Sequence, residues 1–174
     1  MSAMDTPEHD YGRAVSIDAE AIGRPGQRRF RLLVRGDGRS ACLWMEKQQL
    51  GAIGEWMTEV LERLDKDRPT PEPPEPPGDI LEPFELDFRA SQIGLGYAED
   101  ANLFAIQAFD SDLAIERESP SFRCFLNRGQ CRFLSRKIAE VVAGGRPICP
   151  LCELPMEPEG HVCPKSNGHH LGAG

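Results

Sequence analysis

The chain has 174 residues and a formal net charge of −8, with 40% apolar and 28% charged residues. This length allows one domain with its own core plus a small appendage, and the composition is typical of a water-soluble globular protein. No apolar run approaches the roughly eighteen residues of a membrane span, and the N-terminus lacks a hydrophobic signal segment, so we expect a cytoplasmic protein without membrane insertion. The excess of acidic residues disfavours general binding to nucleic acid.

The first half of the chain predicts three strands and a helix. Residues 1–12 show no periodic apolar pattern and are expected to form a disordered tail. Stretches that favour strands follow at residues 14–22, 29–35 and 40–45. A Gly-Asp-Gly sequence at residues 36–38 indicates a hairpin between the last two. From Glu46 to Lys66 the apolar residues recur at helical spacing, which predicts an amphipathic helix packed on a sheet.

A proline-rich segment follows this helix. Residues 69–78 hold six prolines in their first nine positions, a composition that favours extended polyproline II structure. We interpret the segment as a stiff linker between two halves of one domain, residues 13–68 and 84–145. The alternative interpretation is a proline-rich ligand for an SH3-like domain.

The second half repeats the same order of elements. Strands are predicted at residues 84–89, 91–97, 103–109 and 121–126. Asn127 is a candidate N-cap for a second amphipathic helix, which ends at Gly144 and Gly145.

The two predicted helices can be aligned with a shift of 81 residues. Gln49, Glu59 and Val60 then fall on Gln130, Glu140 and Val141. We infer an internal β-β-β-α duplication, and the alternative is a coincidence between two amphipathic helices. Either reading predicts an α+β fold over residues 13–145, with six or so mostly antiparallel strands and both helices on one face of the sheet.

The C-terminal run, residues 146–168, concentrates ligands for a soft metal ion. It contains Cys149, Cys152, His161 and Cys163 within fifteen residues. A Cys-x2-Cys pair lets two thiolates bind one ion, and Zn²⁺ prefers four nitrogen and sulfur donors in a tetrahedron. The spacing therefore predicts a small knuckle built round a closed, structural zinc site. The other cysteines, Cys42, Cys124 and Cys131, lie in apolar stretches and are expected to be buried thiols.

The fourth metal ligand is less strictly defined by the spacing. Only one residue separates His161 from Cys163, unlike the second Cys-x2-Cys pair of a full zinc ribbon. His169 and His170 are alternatives, although we expect residues 169–174 to form a tail. The competing interpretation of the whole run is that its cysteines bind no metal.

Three stretches resemble a family of bacterial proteins, the domain-of-unknown-function family numbered 3090. They are Cys-Leu-Trp-Met-Glu-Lys-Gln-Gln-Leu at 42–50, Gln-Ile-Gly-Leu-Gly-Tyr at 92–97, and the cysteine-containing run at 146–168. The resemblance covers residues 12 to 168. It implies a zinc-knuckle-like C-terminal motif and no particular activity. Members commonly have glycine after the second cysteine of the knuckle, where this chain has Glu153.

The favoured function is that of an interaction or adaptor protein with an unidentified protein partner. A closed metal site and the absence of a nucleophile-base pattern favour this hypothesis. The candidate surface comprises Trp44 or Trp56, if either is exposed, and residues 156–161. Tryptophans on a helix or strand more commonly belong to the core.

Two alternatives remain at this point. The first is nucleic-acid binding through the knuckle and a basic stripe of Arg128, Arg132 and Arg136, which occupy one face of the second helix. A solvated polar face is the plainer explanation of that stripe.

The second alternative is an enzyme with polar groups in the loops. Glu46 with Lys47, or Asp110 with Asp112, are candidates for general acid–base work, and these residue types are equally common at helix starts and turns. No catalytic triad order, phosphate-binding loop or dinucleotide-binding glycine pattern is present, so we disfavour an enzyme and assign no catalytic residue.

Overall fold

The structure, a computed structural model, describes residues 6–112, 118–144, 149–154, 156 and 160–165. Its first half contains β1 (His9–Arg13), β2 (Ser16–Ile22), β3 (Arg29–Gly36), β4 (Arg39–Met45) and α1 (Lys47–Asp65). Its second half contains β5 (Leu86–Ala98), β6 (Leu103–Asp110), β7 (Phe122–Leu126) and α2 (Arg128–Ala143).

The strands form one seven-stranded, mostly antiparallel sheet in the order β1-β7-β6-β5-β4-β3-β2. The pairs β1–β7 and β4–β5 are parallel, and the other four pairs are antiparallel. This architecture confirms the predicted α+β class. The first half has four strands before its helix and the second half has three, and a duplicated origin stays a prediction.

The N-terminal segment corrects one expectation, because residues 9–12 belong to a strand and not to a disordered tail. Tyr11 in β1 is only 1% exposed, and its hydroxyl donates to the carbonyl oxygen of Ser40. Asp10 is paired with Arg123 of β7, 113 residues away. The local sequence contains one large apolar residue, so the stability of this strand comes from distant partners that periodicity does not reveal.

The same segment joins the two edges of the sheet. Only Ala14 and Val15 separate β1, at one edge, from β2, at the other. The N–H of Ala14 donates to Phe125 of β7, and the N–H of Val15 donates to Arg35 of β3, both at 2.8 Å. This segment therefore bridges strands near both edges of the sheet, and α2, the helix after β7, packs against β2.

The two helices begin where their capping residues predict. Glu46 and Gln49 form a capping box at the start of α1, and Asn127 and Gln130 do the same for α2. The predicted N-cap at Asn127 is thus confirmed. Both helices pack on the sheet and on each other, and their buried side chains form one core with those of the strands.

The proline-rich segment between the halves has no helix or strand and lies against α2. The N–H of Glu75 donates to Gly129, and Nε of Arg132 donates to the carbonyl oxygen of Glu72. Farther along, the N–H of Gly78 donates to the hydroxyl of Ser16 in β2. The segment is therefore attached to the domain along its length, and its interpretation as a stiff linker stays a prediction.

Candidate metal centre

Four side chains from the C-terminal run meet at one point. The ligand atoms of Cys149, Cys152, His161 and Cys163 all lie within 4.8 Å of one another. Sγ of Cys149 is 3.8 Å from Sγ of Cys163, and Sγ of Cys152 is 3.2 Å from Nε2 of His161. Three sulfurs and one imidazole nitrogen at these separations can surround a single metal ion.

A tight turn holds the first two cysteines. The N–H of Glu153 donates to the carbonyl oxygen of Cys149, and the N–H of Cys149 donates to that of Leu154, both at 2.9 Å. These two bonds fold residues 149–154 back on themselves. The thiols of Cys149 and Cys152 consequently point to the same side of the loop.

Backbone N–H groups prepare the first thiol for metal binding. Hydrogen bonds from the backbone of Cys152 and then of Leu151 lower the pKa of the Cys149 thiol to about 6. The thiolate is the form that binds a metal, so this turn favours the ligating form near neutral pH. Burial raises the pKa of the Cys152 thiol, so Cys149 ionises before Cys152 when no metal is bound. The positive charge of a bound ion would favour the thiolate form of both cysteines.

The turn places Glu153 in the left-handed backbone region, with φ at +60°. A residue with a Cβ is disfavoured there, whereas glycine is not. The resemblance described from the sequence implies glycine at this position. The turn geometry is therefore retained here with a strained residue.

A comparison with protein families gives one match. The sequence model of DUF3090, described as a protein of unknown function, matches residues 9–163. The chain belongs to the DUF3090 family. No match was found among curated proteins or among solved structures. Membership of DUF3090 confirms the resemblance, and the matched region includes all four candidate ligands.

Among the alternative ligands, the structure favours His161. Its Nε2 lies beside Cys152, whereas His169 and His170 are outside the described residues. The other three cysteines, Cys42, Cys124 and Cys131, are buried thiols distant in sequence from the Cys/His cluster, as expected.

Two of the three arginines of the predicted basic stripe contact other parts of the protein. Arg128 is buried, and its guanidinium donates to Asn102 and to the hydroxyl of Tyr97. Arg132 forms a bidentate ion pair with Asp65 of α1, at 2.9 and 3.1 Å. Arg136 is exposed. Contact of these arginines with nucleic acid stays a prediction that their geometry does not favour.

Two of the polar groups considered for catalysis, Glu46 and Asp110, have local partners. Glu46 caps α1 and pairs with Arg89, while Oδ1 of Asp110 accepts the N–H of Asp112 in a turn. Of the tryptophans considered for an interaction surface, Trp44 and Trp56 are both half-buried. Within the part of the chain that the structure describes, no helix is long and apolar enough to cross a bilayer.

Sequence reasoning missed three exposed apolar residues in the knuckle. Leu151 and Leu154 are 59% and 49% exposed, and Val162 is 94% exposed. They flank the metal ligands on both loops. Their proximity to the cysteines in sequence was visible, but their exposure depends on how the turn directs each side chain.

Proposed function

We propose that the metal of this centre is Zn²⁺ and that its role is structural. Three thiolates and one neutral imidazole form the donor set that zinc prefers, and they supply all four positions of a tetrahedron. No position is left for a reactive water, which a catalytic zinc requires. The described residues of the knuckle contain no apolar core of their own, so metal binding adds to the folding free energy of the knuckle.

The knuckle in turn presents an interaction surface, and we assign the protein an adaptor role. The observation that carries this proposal is the exposure of Leu151, Leu154 and Val162 on the two loops that zinc joins. A group of exposed apolar residues on neighbouring loops gains free energy when another surface covers it. We expect a protein partner with a complementary apolar pocket, and thiolate ligands suit the reducing cytoplasm.

Metal content tests the first part of the proposal. Mass spectrometry of the purified protein is expected to find one zinc per chain. Cys152→Ser is expected to lose it, because one of the four ligands is removed. Cys42→Ala is the matched control, since that cysteine is buried in the sheet and is expected to leave zinc bound. Full zinc occupancy in Cys152→Ser would refute the assignment.

A triple variant tests the second part. Leu151→Ser, Leu154→Ser and Val162→Ser together are expected to keep zinc and the melting temperature but to lose a partner that wild type captures by crosslinking. A control double variant, Ile22→Ser with Leu81→Ser, removes apolar side chains that are 42% and 71% exposed elsewhere. Identical crosslinked partners for wild type and the triple variant would exclude the knuckle as the docking surface.

A further inference from the structure

A basic cleft lies at the start of α1. It has a volume of about 350 Å³ and is formed by the N-terminal end of β3, the C-terminal end of β4, the first residue of α1 and β5. Its charged and aromatic lining includes Arg28, Arg29, Trp44, Glu46, Lys47 and Arg89.

The charge of this cleft opposes that of the whole chain. Four cations face one carboxylate, Glu46, in a protein of net charge −8. Glu46 is already paired with Arg89 at 2.6 Å. Among the described residues, the side chains of Arg29 and Lys47 have no hydrogen-bonded or ion-paired partner. This concentration of unneutralised positive charge produces a local potential that attracts an anion.

The Arg29 guanidinium is held in position without the use of its hydrogen-bond donors. It stacks on the ring of Trp44, with 4.0 Å between the guanidinium carbon and the ring centroid. The ring is itself anchored, because Nε1 of Trp44 donates to Asp87 at 2.9 Å. Stacking uses the face of the guanidinium and leaves its N–H groups at the edge for a ligand.

The backbone adds to the same field. Helix α1 begins at Lys47, and its first turn contains no acidic residue. The N-terminus of a helix carries a partial positive charge, and the capping box, which binds the N–H groups of Glu46 and Gln49, leaves those of Lys47 and Gln48 without helical acceptors. Oriented donors next to a guanidinium and an ammonium suit the oxygens of a phosphoryl group.

We propose that this cleft binds a small phosphoryl compound carrying a di- or triphosphate group. Its volume falls in the range of small-molecule sites, and its excess positive charge matches a compact polyanion. A long nucleic-acid backbone is disfavoured because it would extend from the cleft across an acidic protein. The site shares no residue with the metal centre and does not depend on the proposed zinc function.

Isothermal titration of the full, zinc-loaded protein with inorganic tripolyphosphate tests this site. One tripolyphosphate is expected to bind per chain, more weakly as salt is added. Arg29→Gln and Lys47→Gln are each expected to weaken binding by at least about tenfold, since each removes a charged donor. Arg136→Gln, an exposed arginine on α2, is the matched control and is expected to change affinity by less than about twofold.

Two further variants separate this site from misfolding and from metal chelation. Glu46→Gln removes the one carboxylate that lines the cleft and keeps a side-chain oxygen that can cap α1. It is therefore expected to tighten tripolyphosphate binding, and misfolding of the variant could not produce tighter binding. Cys152→Ser is expected to bind tripolyphosphate as wild type does. The proposal is overturned if tripolyphosphate does not bind at about 1 mM, or if Arg29→Gln and Arg136→Gln weaken binding equally. It is also overturned if Cys152→Ser loses tripolyphosphate binding. Affinity for single-stranded DNA that increases with the length of the DNA would likewise contradict it.

Discussion

Glu153 donates its backbone N–H to the carbonyl oxygen of Cys149 at 2.9 Å while its own φ is +60°. The turn that presents the first two metal ligands is thus closed by a residue in a conformation that favours glycine. Backbone strain is stored beside the Cys/His cluster, and metal binding there would offset it.

Glu153→Gly is therefore expected to improve metal binding. Glycine relieves the strain of the left-handed conformation but is more flexible in the unfolded chain. The net gain in free energy is about 1 kcal/mol, which corresponds to about fivefold tighter zinc binding. Competition with a chromophoric chelator measures this change. Glu153→Ala is the control, because it removes the same charge but keeps the Cβ. Equal affinities for the two variants would mean that charge, and not backbone conformation, is responsible.

The thiol of Cys149 is expected to ionise in the metal-free protein at unusually low pH. Its pKa is lowered to about 6 by backbone N–H groups, so its thiolate is present above that pH. The stability that this thiolate contributes is fully present above the ordinary thiol pKa and is lost as the pH falls through about 6.

Thiolate absorbance of the zinc-free protein, followed against pH, measures this ionisation. Cys149→Ser is expected to abolish the step near pH 6, whereas Cys42→Ala is expected to retain it because the pKa of Cys42 is raised to about 12. A first thiolate appearing only above pH 8 or so would contradict the predicted effect of the backbone donors.

Tyr11 tests whether the N-terminal strand stabilises the whole domain. Its ring lies 5.0 Å from that of Phe122, and its hydroxyl donates to Ser40. Tyr11→Phe is expected to lower the free energy of unfolding by about 1 kcal/mol, and Tyr11→Ala by about 3–5 kcal/mol. Denaturant unfolding measures both effects.

Val15→Ala is the control for this strand, because the valine lies in the same segment and is 60% exposed. It is expected to change stability by less than about 0.5 kcal/mol. If Tyr11→Ala also left the free energy of unfolding unchanged, β1 would not contribute to the stability of the domain.

The helices and the Cys/His cluster were predictable because their signals are local. The side chain of Asn127 caps α2 by accepting the N–H of Gln130, three residues later. The cysteines of the knuckle are recognised by their spacing in the sequence. Strand β1 carries no comparable signal, since Asp10 and Tyr11 are stabilised by residues 113 and 29 positions away.

The partners of charged residues were also not predictable from local sequence. Arg132 looked like part of a solvated or nucleic-acid-binding stripe, but its partner Asp65 lies 67 residues away on the other helix. The basic cleft was also not predictable from the sequence, because Arg29, Lys47 and Arg89 come from three different elements. Helical spacing identifies a face, and only the packing of elements determines what that face contacts.

The contact between α1 and α2 depends on Gly54. A Cβ at this position would lie 2.8 Å from Cγ2 and 3.2 Å from Cβ of Ile138, which are stiff parts of a β-branched side chain. Gly54→Ala is therefore expected to destabilise the domain by about 1–3 kcal/mol, although alanine is the better helix former. Thermal or denaturant unfolding measures the change.

Gly51, one turn earlier on α1, provides the matched control. No atom lies within 4 Å of a Cβ built there, so Gly51→Ala is expected to stabilise the protein by about 0.5–1 kcal/mol through helix propensity alone. Ile138→Ala is expected to relieve the clash, so the double variant with Gly54→Ala should be more stable than the sum of the two single changes predicts. Strict additivity, or a stabilising Gly54→Ala, would show that the helices do not meet at this pair.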